Sequence, residues 1–168
     1  TQLKDYETFI RGVVLAKETL PAVVGLIVGG VRADKESYRQ SLQDLVAELG
    51  AGAYIHFVGN QAEIAEIYAL STLVVSASRK PESFGRSVAE AIAMNAPVIA
   101  TNHGGVLDII LEGQTGELFE VGDHESLASK IIKMCRCKPG HIRGFIEENF
   151  TLSSMVMKTV QVYESLHA

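Results

Sequence analysis

The sequence predicts a doubly wound α/β domain, a parallel sheet with helices on both faces, followed by C-terminal helices. Three observations lead there. Segments of helical periodicity alternate along the chain with short apolar runs. The runs are almost uninterrupted in their hydrophobicity and end on glycine or a small polar residue, as strands covered on both faces do. Finally, 168 residues that are 47% apolar and only 21% charged supply one sizeable core.

The elements follow in order. Tyr6, Phe9, Ile10, Val13, Val14 and Leu20 recur at helical spacing, and Pro21 is a stop signal. The run 23–28 is strand-like, closed by Gly29 and Gly30, and is expected to be buried on both faces. Tyr38, Leu42, Leu45, Val46 and Leu49 mark a second amphipathic helix, and 54–58 a second strand ending at Gly59. A helix over 64–70, a strand over 73–76, a helix after Phe84 and a strand over 97–101 continue the alternation. A short helix near 106–111 and a strand near 116–121 come next. Asp123 and Thr151 are placed to cap the last helices. No repeat, linker or low-complexity segment interrupts this, so residues 1–168 are expected to form a single domain, an α/β core over about 1–150 and a C-terminal helix over about 151–168.

Charge and composition exclude several function classes. Fifteen Lys and Arg against 20 Asp and Glu give a net charge of −5, wrong for a disordered chain and repulsive to a phosphate backbone, so nucleic acid is not an expected partner. Cys135 and Cys137, the only cysteines, are too few for a disulfide framework, and only His141 is near enough to extend a metal set, so no metal is expected. The charge-free stretches 19–31 and 91–107 are too short or too polar to span a bilayer. A cytoplasmic location is expected, extending to the inner face of the membrane. The opening polar run from Thr1, without an initiator Met, reads as a piece of something longer.

In an open parallel sheet, ligands bind at the carboxyl ends of the strands. The strand exits here are Gly29-Gly30-Val31-Arg32, Gly59-Asn60-Gln61, Ser76-Ala77-Ser78-Arg79 and Thr101-Asn102-His103-Gly104-Gly105. Their small and polar residues serve ordinary turns as well, but together they favour a ligand crevice. Neither G-x-G-x-x-G nor a P-loop occurs, which demotes dinucleotide and P-loop chemistry. The informative stretch is 79–91, leaving a strand and entering a helix. First-turn amides around Gly85, Arg86 and Ser87 lack intrahelical partners, and such a terminus suits a phosphate or diphosphate, with Arg86 adding charge. Glu82 and Glu90 bracket this entry. As continuous helix they would lie about 12 Å apart, suited to two ends of an elongated ligand. Spacing alone equally allows a solvated Glu82 and an exposed Arg86–Glu90 pair.

Residues 81–91 resemble the Glu, seven residues, Glu motif of the retaining, GT-B-fold nucleotide-sugar glycosyltransferases, the glycosyl transferases group 1. The flanks are similar in the same order: Leu26-Ile27-Val28-Gly29, Phe57-Val58-Gly59, Pro97-Val98-Ile99-Ala100-Thr101, Gly104-Gly105, Gly113-Gln114-Thr115-Gly116 and Val121-Gly122-Asp123. The resemblance covers nearly the whole chain and implies the C-terminal, donor-binding lobe of a GT-B enzyme. It implies transfer of a hexosyl group from a nucleoside diphosphate sugar, of UDP or GDP type, to an acceptor hydroxyl with retention, in lipopolysaccharide or other cell-envelope glycan synthesis. Glu82 would work at the sugar and the reacting end, Glu90 at the ribose, and Phe84, Gly85, Arg86, Ser87 and Lys4 at the diphosphate. Asn60 and Gln61 would approach the base, with Gly30 at the neighbouring strand exit. Lys4 and the helix dipole would stabilise the departing diphosphate, a role that requires no metal or other cofactor.

The resemblance also implies a carbohydrate or lipid-linked acceptor held by an N-terminal domain, and a central strand with a phosphate-binding Arg before Thr1; neither is in these 168 residues. The isolated chain is therefore expected to bind donor weakly and turn over little. Asn95 stands where the family usually has Gly. His56 reads as a core or strand-end residue and His103 as a loop residue. Lys130, Lys133, Arg136, Lys138 and Arg143 form a basic segment, a solvated face or a peripheral contact with an anionic membrane. A non-catalytic nucleotide-binding module and a nucleotide-sugar epimerase on the same scaffold are the alternatives.

Overall fold

The computed structural model describes residues 2–30, 35–137 and 139–166. Val31, Arg32 and Lys138, singled out above, lie outside the described residues. Helix α1 (Tyr6–Thr19) leads to β1 (Gly25–Val28), α2 (Glu36–Glu48), β2 (Ile55–Gly59), α3 (Ile64–Leu70) and β3 (Val74–Ser76). Then come α4 (Arg86–Ala93), β4 (Val98–Thr101), β5 (Gly116–Phe119), α5 (His124–Arg136), α6 (Arg143–Asn149) and α7 (Leu152–Leu166). The short helix expected near 106–111 is a 3₁₀ turn at Gly104–Asp108, and the sequence reading had no counterpart for α6. Asp123 caps α5 by accepting from the Ser126 amide at 2.9 Å, and Thr151 Oγ1 accepts from the Ser154 amide at 3.1 Å before α7.

All described strand pairings are parallel. β1 pairs with β2, and β3, β4 and β5 form a second sheet in that order. Helices cover both faces, which β4 shows directly because successive side chains point to opposite sides. Ile99 joins the cluster built by Ile10, Val13 and Ala16 of α1, Leu42 and Val46 of α2 and Leu127 and Ile131 of α5. Val98 and Ala100 join Val88, Ala91 and Ile92 of α4, with Val106 and Ile142. Each fully buried Ile or Leu here contributes about 1.5–3 kcal/mol. The left-handed Asn95 (φ 62°) ends the turn after α4, and its Oδ1 accepts from the Ile142 amide at 3.0 Å, tying α6 to this layer.

The strands are in two parts, and this corrects one expectation. β1 and β3 are not hydrogen-bonded to each other but face across an apolar groove of about 760 Å³, lined by residues 22–28, residues 70–77 and part of α1 and α3. Ile27 is buried, yet Leu26 is 47% exposed, so the run 23–28 is covered on one side only. His56 is likewise exposed on β2 rather than buried in the core. Helix α7 buries none of its residues, and Leu152, Met155, Met157, Tyr163 and Leu166 are exposed along it.

Candidate functional site

The carboxyl ends of β3 and β4 meet the start of α4. Gly85 precedes α4 in the left-handed conformation (φ 88°, ψ 53°) and no side chain caps the helix, so the Arg86 and Ser87 amides are left to an external acceptor. The loop before Gly85 is braced from behind by the Gly104–Gly105 turn. The Gly105 amide donates to Glu82 O at 2.8 Å, and a Cβ on either glycine would collide with the backbone of residues 81–84. Only a pair without side chains permits this approach.

The result is an open cleft of about 500 Å³ lined by Lys4, Glu82, Ser83, Phe84, Gly85, Arg86, Ser87 and Glu90. Seven of the sequence-predicted site residues thus gather in one place: Lys4, Glu82, Phe84, Gly85, Arg86, Ser87 and Glu90. Gly30, Asn60 and Gln61 do not line it. They sit together beyond β1 and β2, where a Cβ on Gly30 would lie 2.5 Å from the Asn60 side chain, and Gln61 Nε2 donates to Val58 O at 2.6 Å.

Glu82 is no solvated loop carboxylate. Its Oε1 accepts from Lys4 Nζ and from Ser78 Oγ, the latter at 2.5 Å. Burial pushes the Glu82 carboxyl upward, but hydrogen bonds from Lys4 and Ser78 and the charges of Lys4 and His103 outweigh it and hold the group below its ordinary value. Ser78 is fixed in turn: Thr101 Oγ1 donates to its carbonyl at 3.0 Å, and His103 Nε2 lies 2.8 Å from the same oxygen.

At the other end of the cleft Glu90 is exposed and does not pair with Arg86. The Tyr68 hydroxyl of α3 donates to Glu90 Oε2 at 3.4 Å. Burial and the adjacent Glu90 charge raise the Tyr68 phenol above its ordinary value. Arg86 is exposed and makes no ion pair among the described residues, leaving its guanidinium available. One wall therefore offers unpaired amides and two cations, and carboxylates stand at both ends. Such an arrangement can hold a diphosphate centrally while accepting hydroxyl hydrogen bonds on either side.

Sequence reasoning missed Ser78 and Tyr68. Ser78 was visible only as one polar residue of a strand exit, and Tyr68 only as an apolar-face residue of a helix. The basic segment is also different from its sequence appearance. Lys130 and Lys133 both bind the buried Glu117 of β5, at 2.6 and 2.5 Å, and Arg143 pairs with Glu147. Among the described residues no three His, Cys, Asp or Glu side chains gather as a metal set, and no helix is long and apolar enough to cross a membrane.

The sequence profile of the family described as glycosyl transferases group 1 matches residues 1–148. The chain belongs to this family. Among curated group 1 relatives, it is 33% identical over 129 residues to the N-acetyl-alpha-D-glucosaminyl L-malate synthase of Bacillus anthracis, covering 73% of this chain and 34% of that protein. It is 34% identical over 155 residues to the D-inositol 3-phosphate glycosyltransferase of Mycobacteroides abscessus, covering 89% of this chain and 35% of the relative. The chain spans about a third of the length of these relatives. Its fold superposes on Anabaena Alr3699/HepE, whose crystal structure is a complex with UDP, with a TM-score of 0.88 and 24% identity over 98% of this chain and 46% of that one. The group 1 chain therefore has the Rossmann-like α/β architecture of a GT-B glycosyltransferase, as its motifs implied.

Proposed function

We propose that this domain binds the nucleoside diphosphate part of a sugar donor and is the donor lobe of a hexosyltransferase that retains anomeric configuration. One observation carries it: the uncapped start of α4, Arg86 and Lys4 converge on a cleft whose two ends are Glu82 and Glu90. The diphosphate lies against the Arg86 and Ser87 amides, where backbone dipoles and fixed cations need no reorganisation as charge develops on the leaving group. Glu90 accepts from the ribose hydroxyls. Glu82, kept ionised by Lys4 and Ser78, accepts from the sugar hydroxyls and orients the anomeric carbon toward an acceptor. Gly30, Asn60 and Gln61, outside the cleft at the ends of β1 and β2, would meet the base.

A uridine donor is favoured because the structurally similar HepE is complexed with UDP. The acceptor, carbohydrate or lipid-linked, is met by the part of the relatives that lies outside the shared third. Its setting is cell-envelope glycan synthesis at the cytoplasmic side of the membrane.

A thermal-shift panel of UDP, GDP and ADP tests the donor reading. A ligand at a hundred times its Kd adds about 2.7 kcal/mol of stability, which in a domain of this size raises Tm by about 5–11 °C. No shift with any diphosphate, together with Glu90→Ala indistinguishable from the parent in direct titrations, overturns it.

A further inference from the structure

Lys4 is the one cation of the cleft that comes from outside the β3–α4 connection, and it has a flexible stem with a compact charge. Something must fix where that stem begins. Asp5, the next residue, is held in the left-handed region (φ 47°, ψ 53°), uncommon for a residue with a side chain. It stands at the N-cap of α1, yet its carboxylate makes no capping bond to the helix amides. Instead the buried group, 1% exposed, accepts from Thr8 Oγ1 at 2.8 Å and from Arg79 Nη2 at 2.9 Å. The Arg79 amide also donates to Leu3 O at 2.8 Å. Residues 3–5 are therefore tied to the exit of β3 by one backbone bond and one ion pair.

The neighbours of those two residues meet at the same atom. Lys4, beside Asp5, and Ser78, beside Arg79, both donate to Glu82 Oε1. Asp5 and Arg79 themselves do not line the cleft. We propose that the Asp5–Arg79 ion pair is a positioning latch that sets the Lys4 ammonium beside Glu82, next to the central part of the cleft that takes the diphosphate. Two further groups face the latch. Glu7 lies 3.5 Å from Arg79, and Tyr38 of α2 is pushed up to about 12 by burial and by the charges of Glu7 and Asp5, so it stays a neutral phenol. With Arg79 removed, a buried carboxylate is left with Thr8 alone, and the segment bearing Lys4 relaxes toward water.

The latch rests on the donor reading only for its effect on ligand, so the test has one readout that needs none. Asp5→Asn keeps a residue that tolerates the left-handed conformation while removing the charge, Arg79→Ala removes the partner, and Arg79→Lys restores a cation. In each variant of the 168-residue chain, the Glu82 carboxyl is titrated by NMR without ligand, and affinities for UDP and for uridine are measured. Melting temperature reports the fold. Asp5→Asn and Arg79→Ala are expected to move the Glu82 midpoint up toward the ordinary carboxylate range. They are expected to weaken UDP by about tenfold, the effect of mispositioning one charge-assisted contact, while uridine affinity stays within about twofold. Arg79→Lys recovers most of both effects. An unchanged Glu82 midpoint in folded Asp5→Asn and Arg79→Ala overturns the latch, as does equal weakening of UDP and uridine, which marks general loosening. If the parent chain binds neither UDP nor uridine, the donor reading fails and the Glu82 titration still decides the latch.

Discussion

Gly105→Ala changes one atom group at the back of the cleft and should disturb its front. A Cβ at residue 105 would stand 2.8 Å from Phe84 Cα and from Ser83 C, with Ser83 O nearer still. Carbon pairs settle at about 3.5–4.0 Å, so the 83–84 backbone must retreat by roughly 0.7 Å or more. That movement strains the Gly105 N–H···O Glu82 bond and displaces the Arg86 and Ser87 amides from their positions at the cleft. Overpacking of this kind costs about 1–3 kcal/mol, which lowers Tm by roughly 2–12 °C in a domain of this size. Two weakened amide contacts at about 1 kcal/mol each predict UDP binding weaker by about tenfold or more. Gly52→Ala is the control, since a Cβ there meets nothing within 4 Å. Calorimetric melting and titration with UDP measure both effects. A Gly105→Ala protein that melts with the parent and binds UDP equally well would refute the claim that this turn shapes the site.

Other substitutions probe other parts of the molecule. Glu117→Gln keeps the shape of a buried side chain but gives up charge-assisted bonds to Lys130 and Lys133, an expected loss of about 1–3 kcal/mol at pH 7 in urea denaturation. Burial raises the Glu117 carboxyl, but the two lysines hold it below 4.5. Its stabilisation is therefore present above the unfolded-state value and lost as pH falls through the folded one, so the difference between parent and Glu117→Gln should shrink on acidification below about pH 4.5. Asn95→Ala loses both a left-handed residue that tolerates its φ and the bond to Ile142, whereas Asn95→Gly loses only the bond, so the two should differ by about 1 kcal/mol, with Ala the less stable. Glu90→Gln should weaken UDP by about tenfold and leave Tm within a degree or two, because Glu90 is exposed and its only side-chain partner among the described residues is a long bond from Tyr68.

Much of this architecture was legible in local pattern. The helix over 64–70 and the caps at Asp123 and Thr151 follow from periodicity and short-range hydrogen bonding, which need only neighbouring residues. The motif over 81–91 located the cleft for the same reason, since loop, glycine and helix start are contiguous. Contacts between distant segments were not legible. Arg79 reaches Asp5 across 74 positions and Tyr68 reaches Glu90 across 22, each through a juxtaposition that only the folded sheet creates. The basic segment misled because Glu117 lies on a strand well outside it, and a charge's partner in space leaves no mark in its own run.

The central position of β4 has a kinetic side. It is buried throughout and paired on both sides, by β3 and by β5. Its amides should therefore exchange slowest in the sheet, since they open only when the core does. At Thr101 this strand runs on to the Gly104–Gly105 turn, so the brace behind the cleft hangs from the part of the molecule that opens last.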